Sequence, residues 1–428
     1  MNSPDKAIYQ QPYERLPHRQ NPKYNFTNQL KPNSMKKITK IWALLLCGAL
    51  IAPGFASANP EEKPTPATET VTAETPAVEK EKTGWEKFLE KLPKISGYLQ
   101  SGWNYTSNAN SATSSFQAKR LRLLLDGKVG EKVDFRLQIE AFNGIAGSTN
   151  GNGQKNLQVM DAFATWKIVP EFKVRVGQFY TPLGYENYDI SPATLETVDF
   201  SNIVYRMACR NPYEYNLVDY GRDLGIMFIG DAFDSGKGFS YLHYDVAITN
   251  GSIPCKDDSN QSKDIYVSLT VRPFKYFNIK GTYNWGEYKS VELAGGEGVG
   301  SGNYNPMNRY VVGAWYDNPK GLDLRAEYGH MKSNVGGVDI VKENGVYVLA
   351  GWHLGKFLPI VRWDMYEDCV NTGTANNYNR ILLGCTYEIF KNMKLQVNYG
   401  HFMYSGAAKD ALGYDTSEQL QIMGMFKF

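Results

Sequence analysis

The chain has 428 residues, 46 Lys and Arg against 44 Asp and Glu, a mean hydropathy of −0.43 and 13% aromatic residues beside 40 Gly. Eight of the basic and two of the acidic residues precede Asn59, so the remainder carries about four more acids than bases. That balance excludes a nucleic-acid binder, which needs a basic field to neutralise phosphates, while the aromatic and Gly content favours strands joined by turns.

Residues 1–34 are polar and read as an extension upstream of the native start at Met35. From Met35 to Ala58, "MKKITKIWALLLCGALIAPGFASA" has a basic start, an apolar run from Ile41 to Ala52 and an A-x-A cleavage site at Ala56-Ser57-Ala58. This is the pattern of a secretory signal peptide, and the run is too short for a bilayer core that needs about 20 apolar residues. Residues 59–83 are Pro-, Thr- and Glu-rich with little to bury, which predicts a disordered linker. In 84–94 the residues Trp85, Phe88, Leu89 and Leu92 recur at helical spacing, which predicts a short amphipathic helix, a cap packed under the domain that follows or, as the alternative, a self-association element.

From Ile95 the period changes to two, and about 16 runs of strand length follow to Phe428, the dyad pattern of tilted strands crossing an outer membrane. In "KRLRLLLDGKV", Leu121, Leu123 and Leu125 share one face while Arg120, Arg122 and Asp126 lie on the other. The connections alternate: long ones such as 143–156, 181–220, 250–262, 289–307, 368–378 and 405–415 interleave with turns at 130–132, 169–171, 273–276, 318–320, 355–356 and 391–392. Outer-membrane barrels have this asymmetry of tight periplasmic turns and extended outer loops. Residues 95–428 are therefore expected to form an all-β transmembrane antiparallel barrel, in the outer membrane of a Gram-negative bacterium.

Trp103, Trp166, Tyr180, Tyr288, Trp315, Trp352, Trp363 and Phe390 fall near strand ends and are expected in interfacial girdles. The last run, "EQLQIMGMFKF", puts Leu420, Ile422, Phe426 and Phe428 on one face and Gln419, Gln421 and Lys427 on the other. It is expected to close the barrel against the first strand, removing edges that a bilayer does not tolerate. Inward positions include Arg120, Arg122, Arg136, Arg175, Arg272, Arg325 and Arg362, and also Asp126, Glu140, Asp161, Asp245, Asp264, Asp323, Glu327 and Asp364. Arg120, Arg122, Arg136, Glu140, Arg175, Arg325, Arg362 and Asp364 are the pore-lining candidates. Cys209 and Cys255 fall in loops on one side, where a single bridge between them is an open alternative. His243, His330, His353 and His401 are scattered over separate strands and no catalytic or metal motif stands out, so neither an enzyme nor a cofactor is expected.

"FQAKRLRLLLDGKV", "VMDAFATWKI", "KVRVGQFYTPLGYENYDISP", "YGRDLGIMFIGD" and "YDVAITNG" follow in an order that resembles the phosphate-selective porin O and P family. The most specific stretch is Gly177, Gln178, Phe179, Pro182, Gly184 and Glu186, and the resemblance runs over roughly 95–428. It implies a trimer of 16-stranded barrels, each with a loop folded inward after the fifth strand. The longest connection, 181–220, fits that loop, with Tyr185, Glu186, Tyr188, Arg206 and Arg210 as constriction candidates. Phe426 and Phe428 match the terminal signature read by the barrel assembly machinery. Tyr180 stands where many relatives carry Lys, and the loop's arginines are interrupted by Glu186, Asp189, Glu196 and Asp199, a departure from simple anion selectivity. The expected function is passive diffusion of small hydrophilic solutes, anions such as phosphate among them, with membrane lipid, the solutes and two further copies of the chain as partners. The alternative is a non-conducting barrel acting as adhesin or anchor through its outer loops.

Overall fold

The computed structural model describes residues 92–142, 157–208, 221–251, 258, 261–289, 304–369 and 377–428, all within a compact unit spanning Lys80–Phe428. Segments 1–34, 35–58, 59–83 and most of the expected helix 84–94 lie outside them, as do Arg210 and the proposed Cys209–Cys255 pair. Lys94, the last residue of the expected helix, opens the first strand.

Sixteen strands are described: β1 Lys94–Asn108, β2 Ala112–Val129, β3 Val133–Glu140, β4 Gln158–Val169, β5 Phe172–Tyr180, β6 Arg222–Asp234, β7 Ser240–Thr249 and β8 Asp264–Phe274, then β9 Phe277–Lys289, β10 Tyr304–Asp317, β11 Leu322–Val335, β12 Val338–Trp352, β13 Phe357–Asp368, β14 Tyr378–Phe390, β15 Met393–Tyr404 and β16 Thr416–Lys427. Each pairs antiparallel with its sequence neighbours, and β16 pairs with β1 to close the barrel. Trp103 stands opposite Ile422, and beyond the last ladder pair Gly97 and Phe428 exchange both backbone hydrogen bonds at 3.0 Å. The closed ladder leaves no unpaired edge to meet lipid.

Strand β8 shows why this sequence folds so. Asp264, Tyr266, Ser268 and Thr270 are buried inside, whereas Ile265, Val267, Leu269 and Val271 face outward. The polarity is inverted relative to a soluble protein: the largest fully buried side chains include Arg120, Arg122, Arg309 and Arg362. An apolar outer wall around a polar interior is the arrangement a bilayer selects.

Three expectations are corrected. Two connections at the long-loop end are tight: Asn108 caps the β1–β2 turn by accepting the Asn110 and Ser111 N–H groups, and Gly336-Gly337 alone joins β11 to β12. Both glycines have positive φ, 59° and 85°, as the tightest hairpin turn requires. The pair thereby lets β12 begin at Val338. Trp315 does not join a girdle; it points inward and is buried, while Trp166, Trp352, Trp363 and Phe390 are exposed on the outer wall.

Candidate functional site

The connection after β5 enters the barrel, and residues of the "GQFYTPLGYE" stretch make the turn. Gly177 has φ 125°, and a Cβ there would fall 2.2 Å from the Ala162 carbonyl. Gln178 Nε2 donates to the carbonyls of Val159 and Met160 at 3.0 and 2.7 Å, which fastens the end of β5 to β4. Phe179 is fully buried, and the Pro182 carbonyl accepts from Thr282 Oγ1 at 2.8 Å. Gly184, at φ 76° and ψ 176°, occupies a region open essentially to glycine alone. It admits a single helical turn, α1 Tyr185–Tyr188, whose leading N–H groups on Tyr185 and Glu186 donate to the Glu327 carboxylate at 2.5 and 3.1 Å. Glu327 is held in turn by the Tyr347 hydroxyl at 2.7 Å.

From α1 the loop crosses the lumen, and nearly every strand it meets supplies an anchor. Tyr185 stacks on Trp315 at 3.8 Å between centroids. The Tyr188 hydroxyl donates to Asp245 on β7 at 2.8 Å, and Lys280 on β9 pairs with Asp189 at 2.6 Å. Gln396 on β15 donates to the carbonyls of Leu195, Glu196 and Thr197, and Arg325 on β11 pairs with Glu196. Further on, Asp199 joins Lys119 on β2 and Gln421 on β16. A π-helical turn, Ile203–Ala208, then packs Ile203 and Met207 over Gly329 of β11. Leu183, Leu195, Phe200, Ile203, Val204 and Met207 form one apolar cluster with wall residues Met227, Val311, Tyr347 and Leu349.

Within this loop, burial drives the Glu186 carboxyl up to about 7, despite the opposing pull of Arg362 and Arg325. Burial also acts to raise Asp199, but Lys119 and Arg380 outweigh it and hold that carboxyl well below its usual range. Desolvation raises the Tyr188 hydroxyl well above the ordinary phenol value, and the Asp245 carboxylate adds to it.

The wall arginines have a different part from the one expected. Arg362 donates to Thr197 Oγ1 and the Asp199 carbonyl at 3.1 Å and to the Phe200 carbonyl at 3.2 Å, with its Nε on Asp364 at 2.9 Å. Arg120 donates to the Val198 carbonyl at 3.1 Å, and Arg122 pairs with Glu140 at 2.8 Å. Thus Arg120, Arg122, Glu140, Arg325, Arg362 and Asp364 are buried between wall and loop or within the wall instead of lining a water path. The physical reason is that a loop crossing a barrel leaves carbonyls that need donors, and an inward guanidinium with five N–H groups supplies them. Arg309, not singled out beforehand, does the same for the Met207 carbonyl at 2.7 Å. Tyr185 and Glu186 are likewise enclosed, whereas Tyr188 and Arg206 are half-buried.

A group of half-exposed charges lies on the wall from β2 to β8, toward the short turns. Arg136 holds Asp126 with two bonds at 2.6 and 3.1 Å, and Lys167 pairs with Asp134 at 2.9 Å. Lys173 and Arg272 share Asp231, at 2.8 and 3.4 Å, with His243. Arg175 lies 4.3 Å over the Phe163 ring and donates to Thr165 Oγ1 at 3.1 Å, but makes no ion pair among the described residues. Five cations thus face three half-exposed carboxylates. At the short-turn mouth on the other side, a cleft of about 240 Å³ separates loop residues Ala193, Thr194 and Glu196 from Lys356, Lys391, Lys394 and Lys427. Its signal in the sequence is the inward parity of Lys394 and Lys427 beside short turns; the first was missed.

These features have known counterparts. Residues 97–212 match the family model of the phosphate-selective porins O and P. The match covers "GQFYTPLGYE" and the described part of the inward loop, to Ala208. No curated protein matches the chain in sequence. Among solved structures the barrel is similar to an anion-selective porin from Comamonas acidovorans, at 14% identity and TM-score 0.56, over 78% of this chain and 99% of that one. It is similar to Salmonella typhi OmpF in complex with daunomycin, at 14% and 0.57, over 79% and 99%. The trimer form of in-vitro folded OmpT from Vibrio cholerae aligns at 11% and 0.50, over 79% and 100%. At these identities the likeness is one of fold: a closed 16-stranded porin barrel, a channel fold of the outer membrane.

Proposed function

We propose that this porin barrel gives passive diffusion to small hydrophilic solutes and favours anions, phosphate among them, along the wall that its inward loop leaves half-exposed. The observation that carries the reading is the charge balance there. Arg136, Lys167, Lys173, Arg175 and Arg272 face Asp126, Asp134 and Asp231, and Arg175 has no carboxylate partner among the described residues. A guanidinium backed by an aromatic ring still has donors for an oxyanion. The cleft at the short-turn mouth, where four lysines stand with Glu196 and Glu388, adds a second stretch with more basic than acidic side chains. The Comamonas porin named as anion-selective lends support by its fold, and the trimer form of OmpT supports a homotrimer here.

The test is single-channel conductance of the purified protein in a planar bilayer, with reversal potential under a KCl gradient. Stable steps with an anion-favouring potential, and chloride current reduced by millimolar phosphate, are expected. A cation-favouring potential would refute the anion reading. Silence from a protein that still migrates as a heat-modifiable barrel would leave the alternative, an adhesin or anchor acting through its outer loops.

A further inference from the structure

At the short-turn end of β10 and β11, Asp317 and Asp323 stand directly opposite each other in the ladder. Like charges facing across an antiparallel pair are destabilising. Asp323 is 1% exposed, and neither of its carboxylate oxygens accepts a hydrogen bond. The nearest cation, Arg325 Nε, stops at 3.7 Å from it, and the charge of Arg325 is engaged by Glu196 of the inward loop. A third group converges from the next turn: His353, whose backbone N–H donates to the Gly321 carbonyl at 2.8 Å and so docks it against the β10–β11 turn. One oxygen from each Asp and one ring nitrogen of His353 lie within 4.8 Å of one another.

We propose that Asp317, Asp323 and His353 bind a divalent transition-metal ion, of the Zn²⁺ or Mn²⁺ class. Two carboxylates and an imidazole are the donor set such ions take, with water completing the shell. Ligand atoms about 2.0–2.2 Å from a common ion are closer together than those found here, so the site closes by side-chain rotation, and Asp317, exposed at its strand end, is free to rotate. Glu196 is shared by Arg325 and Lys394, so the facing pair Asp317 and Asp323 has no cation of its own nearer than Arg325 Nε at 3.7 Å, and a dication there gives the orphaned Asp323 oxygens a partner. The ion sits beside the lysine cleft, since His353 also lines that space.

The test is Zn²⁺ titration of the purified, metal-stripped protein by calorimetry, with Co²⁺ absorption as a spectroscopic probe of the ligand set. One Zn²⁺ per chain is expected, with affinity falling at least tenfold in both His353→Ala and Asp317→Asn. Neither variant touches the buried carboxylate, and heat-modifiable mobility verifies that each still folds. Asp323→Asn, if it folds, should abolish binding. Absence of saturable binding in the wild-type barrel, or affinity unchanged in the His353 and Asp317 variants, overturns the assignment whether or not the barrel conducts.

Discussion

Arg362→Ala removes the most heavily used anchor of the inward loop. The side chain is fully buried, reaches three acceptors of the segment Thr197–Phe200 at 3.1–3.2 Å, and lies 3.6 Å from Glu186 Oε1. Hydrogen bonds from a charged donor are worth about 1.5–3 kcal/mol each but do not add when they share one group. The better guide is the loss of one partner from a buried ion pair, about 3–5 kcal/mol, since Asp364 stays behind without the guanidinium that held it at 2.9 Å. Docking of the loop is therefore expected to weaken by roughly 100- to 4,000-fold at about 1.4 kcal/mol per tenfold. Hydrogen exchange reads this directly. The Val198 N–H donates to Asn398 Oδ1 at 2.6 Å and the Ser201 N–H to Glu186 Oε2 at 2.8 Å, so both lose protection only when the loop lifts. Ladder amides of β14 and β15 should hold theirs. Protection at Val198 and Ser201 unchanged within a few-fold, in a barrel that folds normally, would refute the claim that wall arginines pin the loop.

Loop docking should also depend on pH through Glu186, which is packed against Arg362, Arg325, Glu327 and Tyr347. Its carboxyl is raised from the ordinary 4.5 to about 7, so over that window the docked loop holds a proton that a released loop gives up. Docking is thus strongest at and below pH 4.5 and loses roughly 3 kcal/mol as pH rises to 7. Asp199, held low, stays ionised throughout; flat exchange rates for Ser201 from pH 5 to 8, after correction for intrinsic chemistry, would contradict this. Gly184→Ala forces a side chain into a glycine-only backbone region and sets its Cβ 2.8 Å from Glu327 Oε1. A cost of about 1–3 kcal/mol should appear as faster exchange at the Tyr185 and Glu186 amides, and unaltered rates would show that the turn tolerates a side chain. Deleting Phe428 removes both backbone bonds to Gly97 and the ring that rests against that glycine. The yield of heat-modifiable barrel should drop, and a normal yield would mean that closure rests on the ladder alone.

The barrel was legible in the sequence because its two signals are local and are imposed by the solvent. A bilayer demands an apolar outer face, so Ile265, Val267, Leu269 and Val271 alternate with polar neighbours inside one strand, and the requirement for closure gave the last strand its partner. Where strand period alone failed as a guide, at Gly336-Gly337, the signal lay in the turn chemistry, since two adjacent glycines supply the positive φ that the tightest hairpin needs. Inward parity also placed Arg120, Arg325 and Arg362 correctly in the interior. It could not tell a pore-lining arginine from a loop anchor, because that depends on what lies opposite. Arg120 meets Val198 at 78 residues' separation and Arg362 meets Thr197 at 165. Only the return of one long loop across the lumen decides which inward charges spend their donors on its carbonyls and which, such as Arg175, pack on the wall with no ion pair among the described residues. Alternation is a property of single strands, whereas charge pairing in a lumen is a property of the whole closed wall.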